Sequence, residues 1–283
     1  MMQYALLMLV ILLVSGQSVA SKQYNVSVEK PKAFIYAGTS AFFAMVFFAV
    51  SAGFRLEYSP DYLPYSLGFG ISYAASTIGM FYSLRWGSMA VAGLAGSYSL
   101  LVPAFYGIFA LNEKMSVPGI FGLVLLVISV LLICDTKGKI KFSLKWAVAL
   151  AVMFFGNGMC STVQKMQQLA CQGAYKNEFM IVALAMVVVI CGIMALVNRE
   201  NPRERAGICL GLGAVQGTMN GMSNLLVMML TGMMAGTILY PSISAGQIVV
   251  TFVLALAVYK EKFTPRQLIG YIFGTVSVIL LNI

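Results

Sequence analysis

The sequence predicts an all-α integral membrane protein, with ten transmembrane helices arranged as two inverted five-helix repeats. Three observations predict it. First, the 283 residues are 60% hydrophobic and 10% charged, with a mean hydropathy of +0.89. Soluble domains are roughly 45–50% apolar and about 25% charged, so this chain has too few charges to coat a soluble surface. Second, its apolar residues fall into ten continuous segments, each long enough to cross about 30 Å of hydrocarbon at about 1.5 Å per residue. Third, landmarks of the first half return in the second in the same order.

The segments run 4–21, 33–54, 63–84, 88–110, 117–134, 144–165, 178–197, 206–230, 234–258 and 267–283. They are long runs rather than alternating stretches of about ten residues, which favours helices over a barrel. The first ends in Ser18-Val19-Ala20, which resembles a signal-peptide cleavage site. No Lys or Arg precedes its apolar run, however, so it is expected to remain as a helix. The fourth and ninth contain Pro103 and Pro241, both expected to kink their helices and candidates for gating. Trp86, Trp146, Tyr175 and Tyr259 stand near segment ends, as interfacial anchors do.

The connections are short, and the charges lie in them. Ten spans put both termini on one side, with Arg55, Lys114, Lys165 and Lys176; the other fourteen of the 18 Lys+Arg lie opposite, among them Lys30, Lys32, Lys137, Lys139, Lys141, Lys145, Arg199, Arg203, Arg205, Lys260 and Lys262. Basic loops favour the cytoplasm, so the termini are expected outside it. The net charge of +9 is therefore a topology signal. It is not a nucleic-acid footprint, because no basic aromatic face accompanies it.

Other chemistries fall away. Histidine is absent, which removes the commonest zinc ligand and general base. Cys134, Cys160, Cys171, Cys191 and Cys209 lack C-x-x-C spacing and read as small buried hydrophobes. No metal, cofactor or catalytic group is expected.

The repeat rests on Glu113-Lys114, Gly122, Ser129-Val130 and Leu132, which return 148 residues later as Glu261-Lys262, Gly270, Ser277-Val278 and Leu280. A looser match pairs Ser18 and Lys22 with Ser161 and Lys165, 143 residues on. Residues 1–140 and 141–283 thus form two five-helix units. An odd number of spans makes successive units enter the bilayer from opposite sides. Inverted repeats place a cavity at their interface and suit alternating access.

The pattern resembles the drug/metabolite transporter superfamily in its ten-helix, EamA-like form. The likeness covers essentially the whole chain and is carried by Phe81-Tyr82-Ser83-Leu84-Arg85-Trp86 and by the Glu-Lys turn before the fifth segment. That turn recurs as Tyr259-Lys260-Glu261-Lys262 before Leu268-Ile269-Gly270. The resemblance implies a basket in which spans 1–4 and 6–9 surround a cavity and spans 5 and 10 lie outside. Many such relatives are described with cytoplasmic termini, opposite to the reading of the loops.

Within the segments, Gln216, Asn220 and Asn224 form a stripe at i, i+4 and i+8, and the matching third segment has Gly68, Ser72 and Ser76. Tyr240, Ser244, Gln247 and Thr251 mark another face. Amides are costly against lipid, so these faces are expected to line a cavity, with interhelical hydrogen bonding as the plainer alternative. Gln17, Ser18, Lys22, Tyr98, Ser161 and Lys165 complete the candidate lining. Lys22 and Lys165 end their spans, where they either attract an anion or snorkel to the interface. Gly213, Gly217 and Gly221 read as a helix-packing ladder. All nine acidic residues lie in loops or at span ends, which argues against a proton-coupled exporter of cations.

The expected function is that of a secondary transporter in the plasma membrane: an exporter, exchanger or facilitator. It would move a small neutral, zwitterionic or anionic metabolite, such as an amino acid, by alternating access. Multidrug efflux of lipophilic compounds is the alternative; a channel or intramembrane enzyme ranks lower. The expected partners are the bilayer and a small solute, without nucleic acid, and a homodimer has no supporting signal.

Overall fold

A computed structural model describes residues 2–28, 32–86, 96, 98–133, 143–201, 206–257 and 264–281. Among them the chain is all-helical, with no strand. Its helices are α1 (Met2–Ser27), α2 (Ala33–Ser51), α3 (Leu63–Trp86), α4 (Leu101–Leu111), α5 (Val117–Ile133), α6 (Leu144–Ala170), α7 (Lys176–Val197), α8 (Ala206–Thr231), α9 (Gly236–Ala257) and α10 (Pro265–Leu281). A short 3-10 turn, Pro60–Tyr62, leads into α3.

Among the described residues, five stretches are long and apolar enough to cross a membrane: α1, α2, α6, α7 and Gly236–Leu254 of α9. Helices α3 and α8 have the length, but Gly, Ser, Thr, Asn and Gln dilute their apolar residues. The outer surface is apolar, with Phe42 and Val46 of α2, Phe121 and Val124 of α5, and Val189 and Ile193 of α7 exposed. This reverses the surface of a soluble bundle and is compatible with a bilayer.

Among the described residues the two largest of four apolar clusters hold the bundle. Phe48, Phe69, Phe179, Met180 and Leu184 are buried between α2, α3 and α7. Leu7, Val10, Leu226, Leu230, Leu239 and Ile243 are buried between α1, α8 and α9. The helix pairings have a pattern. Helix α3 packs on α6, and α1 on α8; α2 packs on α8, and α3 on α7; α1 packs on α9, and α4 on α6. Advancing every helix by five positions turns the first member of each set into the second. The pairs α2–α7, α4–α9 and α5–α10 map onto themselves.

Small residues bring the backbones together. A Cβ on Gly217 would collide with the Ser40 carbonyl oxygen and lie 2.8 Å from the Phe43 Cβ. Gly213 meets Thr39 in the same way, and Gly221 meets Phe47, so the ladder on α8 seats α2. In the α5–α10 pair the Ser129 hydroxyl donates to the Gly270 carbonyl at 2.7 Å, and the Ser277 hydroxyl donates to the Gly122 carbonyl at 2.7 Å.

Several expectations need correction. Helices α1 and α6 run past Lys22 and Lys165, to Ser27 and Ala170, so neither lysine ends its helix. Each continuation is polar yet helical, because packing on neighbouring helices outweighs its low hydropathy. Trp146 is buried in α6, so it is no interfacial anchor. Pro103 occupies the third position of α4; the helical path breaks at Ser99–Leu100, between helical Tyr98 and Leu101, where the missing Pro103 N–H removes the bond to the Ser99 carbonyl. Pro241 does lie inside α9. Cys160, Cys191 and Cys209 are buried and free, as expected of small hydrophobes, and Cys171 is half-buried. Outside the described residues lie most of 88–97, Cys134, the Tyr259–Lys262 turn, and Lys30, Lys137, Lys139, Lys141, Arg203 and Arg205.

Candidate solute cavity

Two adjoining cavities, of about 790 and 420 Å³, occupy the middle of the bundle. They share Gln17, Ser21, Met80, Asn157 and Asn220. The larger lies among α1, α2, α3, α6 and α8. Its mouth is near the C-terminal ends of α1 and α3, where Asn25 and Arg85 are exposed. The smaller continues toward α9, lined by Ser18, Ser161, Gln164, Asn224, Tyr240 and Gln247 among others.

A chain of amides runs along this space. The Gln164 Nε2 donates to Asn224 Oδ1 (3.2 Å), Asn224 Nδ2 to Asn220 Oδ1 (3.1 Å), and Asn220 Nδ2 to Gln17 Oε1 (3.0 Å). Gln17 Nε2 then donates to the Ser223 hydroxyl (3.1 Å), which donates to the Asn220 carbonyl (3.0 Å). Each amide thus satisfies its neighbour, as groups removed from water require, and the chain ties α6, α8 and α1 together. Nearby, Gln216 Oε1 accepts hydroxyls from Ser21 (2.7 Å) and Tyr36 (2.6 Å). Gln247 Nε2 donates to Ser18 (3.1 Å), and Asn157 Nδ2 to Ser99 (2.5 Å). The α8 stripe therefore combines both sequence readings: its amides line the cavities and bridge helices.

Next to Tyr240, whose hydroxyl donates to the Ser161 carbonyl at 3.1 Å, lies an ion pair. Asn112 takes a left-handed conformation that stops α4 and turns Glu113 back beneath Gly107. A Cβ on Gly107 would occupy the place of the Glu113 carboxylate. That carboxylate pairs with the Lys165 ammonium, and its second oxygen accepts the Thr237 N–H at 3.0 Å. It thereby caps the N-terminus of α9, where negative charge is favoured. Glu113 lies in the α4–α5 connection, outside the helices. Burial acts to raise its pKa, but Lys165 and the Thr237 and Gly236 N–H groups outweigh burial and hold it below the ordinary carboxylate value.

The structure brings Gln17, Ser18, Ser76, Ser161, Gln216, Asn220, Asn224, Tyr240 and Gln247 to the cavities. It does not bring Lys22, Ser72, Tyr98, Ser244 or Lys165 there. Ser72 lies at the close α3–α6 crossing, against Gly156, and Tyr98 donates to the Val127 carbonyl in α5 (2.6 Å). Ser244 is buried within α9, and Lys22 is half-buried. Lys165 neither snorkels nor faces a solute; at 2% exposure it is committed to Glu113.

Sequence reasoning missed Asn157, Gln164, Ser223, Tyr24, Tyr36 and Arg85 as lining residues. Asn157, Ser161 and Gln164 recur at helical spacing on α6, so the periodicity test used on α8 would have found them. Tyr24 and Tyr36 stack with ring centroids 4.0 Å apart, a pairing between helices that carries no local signal.

No family model matches the chain, and no curated protein does. Solved structures do match. One, described only as a crystal structure of a protein, is 13% identical with a TM-score of 0.76, covering 99% of this chain and 98% of its own. That likeness shows the fold alone.

Proposed function

We propose that this chain is a secondary transporter, built as two inverted five-helix repeats with ten spans. It would carry a small neutral, zwitterionic or anionic metabolite by alternating access, without catalysing a reaction. The observation that carries this reading is a polar cavity that reaches from exposed Arg85 to Tyr240, with the Glu113–Lys165 ion pair next to Tyr240. Glu113 belongs to the first half of the chain, and Lys165 and Thr237 to the second. The ion pair is therefore a contact between halves, of the kind that exchange of access would make and break.

The five-position pattern of helix pairings and the reciprocal Ser129 and Ser277 bonds support the repeat. The spacing of those serines and of their acceptor glycines is the one found in the sequence. The likeness to the drug/metabolite transporter superfamily agrees with this reading. The basic loops support placing the cavity mouth toward the cytoplasm of a plasma-membrane protein.

Reconstitution into liposomes tests the proposal. Saturable uptake of a labelled metabolite that accelerates with the same solute on the other side is the expected result. Combined Asn220→Ala, Asn224→Ala and Gln247→Ala substitutions should abolish it. Conductance without saturation, or uptake untouched by the triple variant, would sink the reading. Efflux of lipophilic drugs is a second reading, favoured by Tyr24, Tyr36, Tyr73, Met80 and Phe81 in the larger cavity. Competition by uncharged lipophilic compounds would select it.

A further inference from the structure

We infer that the solute is an organic anion with a flat apolar body, and that Arg85 selects it at the cavity mouth. This rests on the transporter reading and narrows its substrate class. Among the described residues that line either cavity, Arg85 is the one charged side chain, and no carboxylate joins it. An anion therefore meets a counter-ion, whereas an ammonium meets amide, hydroxyl and carbonyl oxygens and ring faces but no opposite charge. The planar guanidinium stays charged and can engage both oxygens of a carboxylate.

The neighbouring wall suits a ring. Tyr73, Thr77, Phe81 and Arg85 follow one another at i+4 along α3, so one helical row presents two rings and then the cation. Across the cavity, Tyr24 and Tyr36 stack at a 7° interplanar angle. Their hydroxyls are engaged away from the stack, Tyr24 with the Lys32 backbone and Tyr36 with Gln216. Both rings line the cavity. Deeper in, the amides are uncharged and accept a neutral polar end. A volume of about 790 Å³ holds a molecule of this size together with water.

The test uses three probes sharing one indole body: indole-3-propionate, its uncharged amide, and zwitterionic tryptophan. Binding to the purified full-length protein is measured by calorimetry, for the native sequence and for Arg85→Gln and Arg85→Lys. The acid should bind tightest, and Arg85→Gln should weaken it by about tenfold to a hundredfold, as expected for a lost charge-assisted hydrogen bond. Affinity for the amide should not change, and Arg85→Lys should restore part of the binding of the acid. Unchanged amide affinity also shows that the variant is folded.

Equal binding of acid and amide, tightest binding of tryptophan, or unchanged acid binding in Arg85→Gln would overturn the anion assignment. So would the absence of binding by all three probes. In each case saturable uptake of another metabolite would leave the transporter reading standing. Absence of any saturable uptake would remove the transporter reading itself.

Discussion

Ser129 and Ser277 make the same hydrogen bond in opposite directions across the α5–α10 contact. Each donates at 2.7 Å to the carbonyl of a glycine seven residues before the other serine. Both hydroxyls are fully buried. Equivalent bonds should cost equal amounts when lost. Ser129→Ala and Ser277→Ala are each expected to lower stability by about 0.6 kcal/mol, the mean for such contacts between membrane helices. Unfolding in mixed micelles measures both, and clearly unequal losses would contradict the equivalence.

The Glu113–Lys165 pair should be asymmetric to mutation. Glu113→Gln leaves an ammonium at 2% exposure without its counter-ion, whereas Lys165→Met leaves a carboxylate at 16% exposure that still caps α9. Breaking a buried pair costs about 3–5 kcal/mol, so Glu113→Gln should approach that range and Lys165→Met should fall below it. The double variant should recover much of the loss. Thermal unfolding of the three proteins checks the order.

Acidity should act on this pair only well below neutrality. Glu113 titrates below the ordinary value because Lys165 and two N–H groups outweigh its burial. A carboxyl depressed on folding contributes stability that is complete above its ordinary value, roughly 4.3, and is lost as pH falls through the depressed one. With no histidine in the chain, the unfolding midpoint in detergent should be level between about pH 6 and pH 8. It should drop below about pH 4. A midpoint change centred near pH 7 would show that another group governs the pH response.

The α8 ladder separates two kinds of glycine. Gly217→Ala drives a methyl into the Ser40 backbone and must part α8 from α2, at a cost of about 1–3 kcal/mol for overpacking. Gly211, on the same helix, has nothing within 4 Å of an added Cβ. There alanine should be neutral or stabilising by up to about 1 kcal/mol, from its helix preference. Equal effects at both sites would mean that α8 does not seat α2 as described.

The positions of the helices were legible because apolar run length is a local property. Nine of the ten segments coincide with described helices, most boundaries agreeing within a few residues; of the fourth, 88–110, only residues 96 and 98–110 are described, with α4 in its second half. The ends of α1 and α6 were not legible, since the polar turns at Gln23–Ser27 and Met166–Ala170 are held helical by neighbours rather than by hydropathy. The α8 amides could be read from their periodicity. The partnership of Lys165 with Glu113 could not, because it joins residues 52 apart through a turn set by Asn112. In the sequence, the acidic residues outside the spans bore only on transport chemistry, as carboxylates missing from the segments. Glu113 and Glu200 instead reach across to cap α9 and α2, the latter through the Phe34 and Ile35 N–H groups.

The amide chain from Gln164 to Gln17 already answers much of its own hydrogen bonding. A solute that engages those side chains must take the place of a bond the protein makes with itself, so the net enthalpy gained at that end is small. Under the proposed transporter reading, grip would then be concentrated at the mouth, while the interior would be close to indifferent between filled and empty. For a carrier, that near-equality lets cargo leave about as readily as it enters.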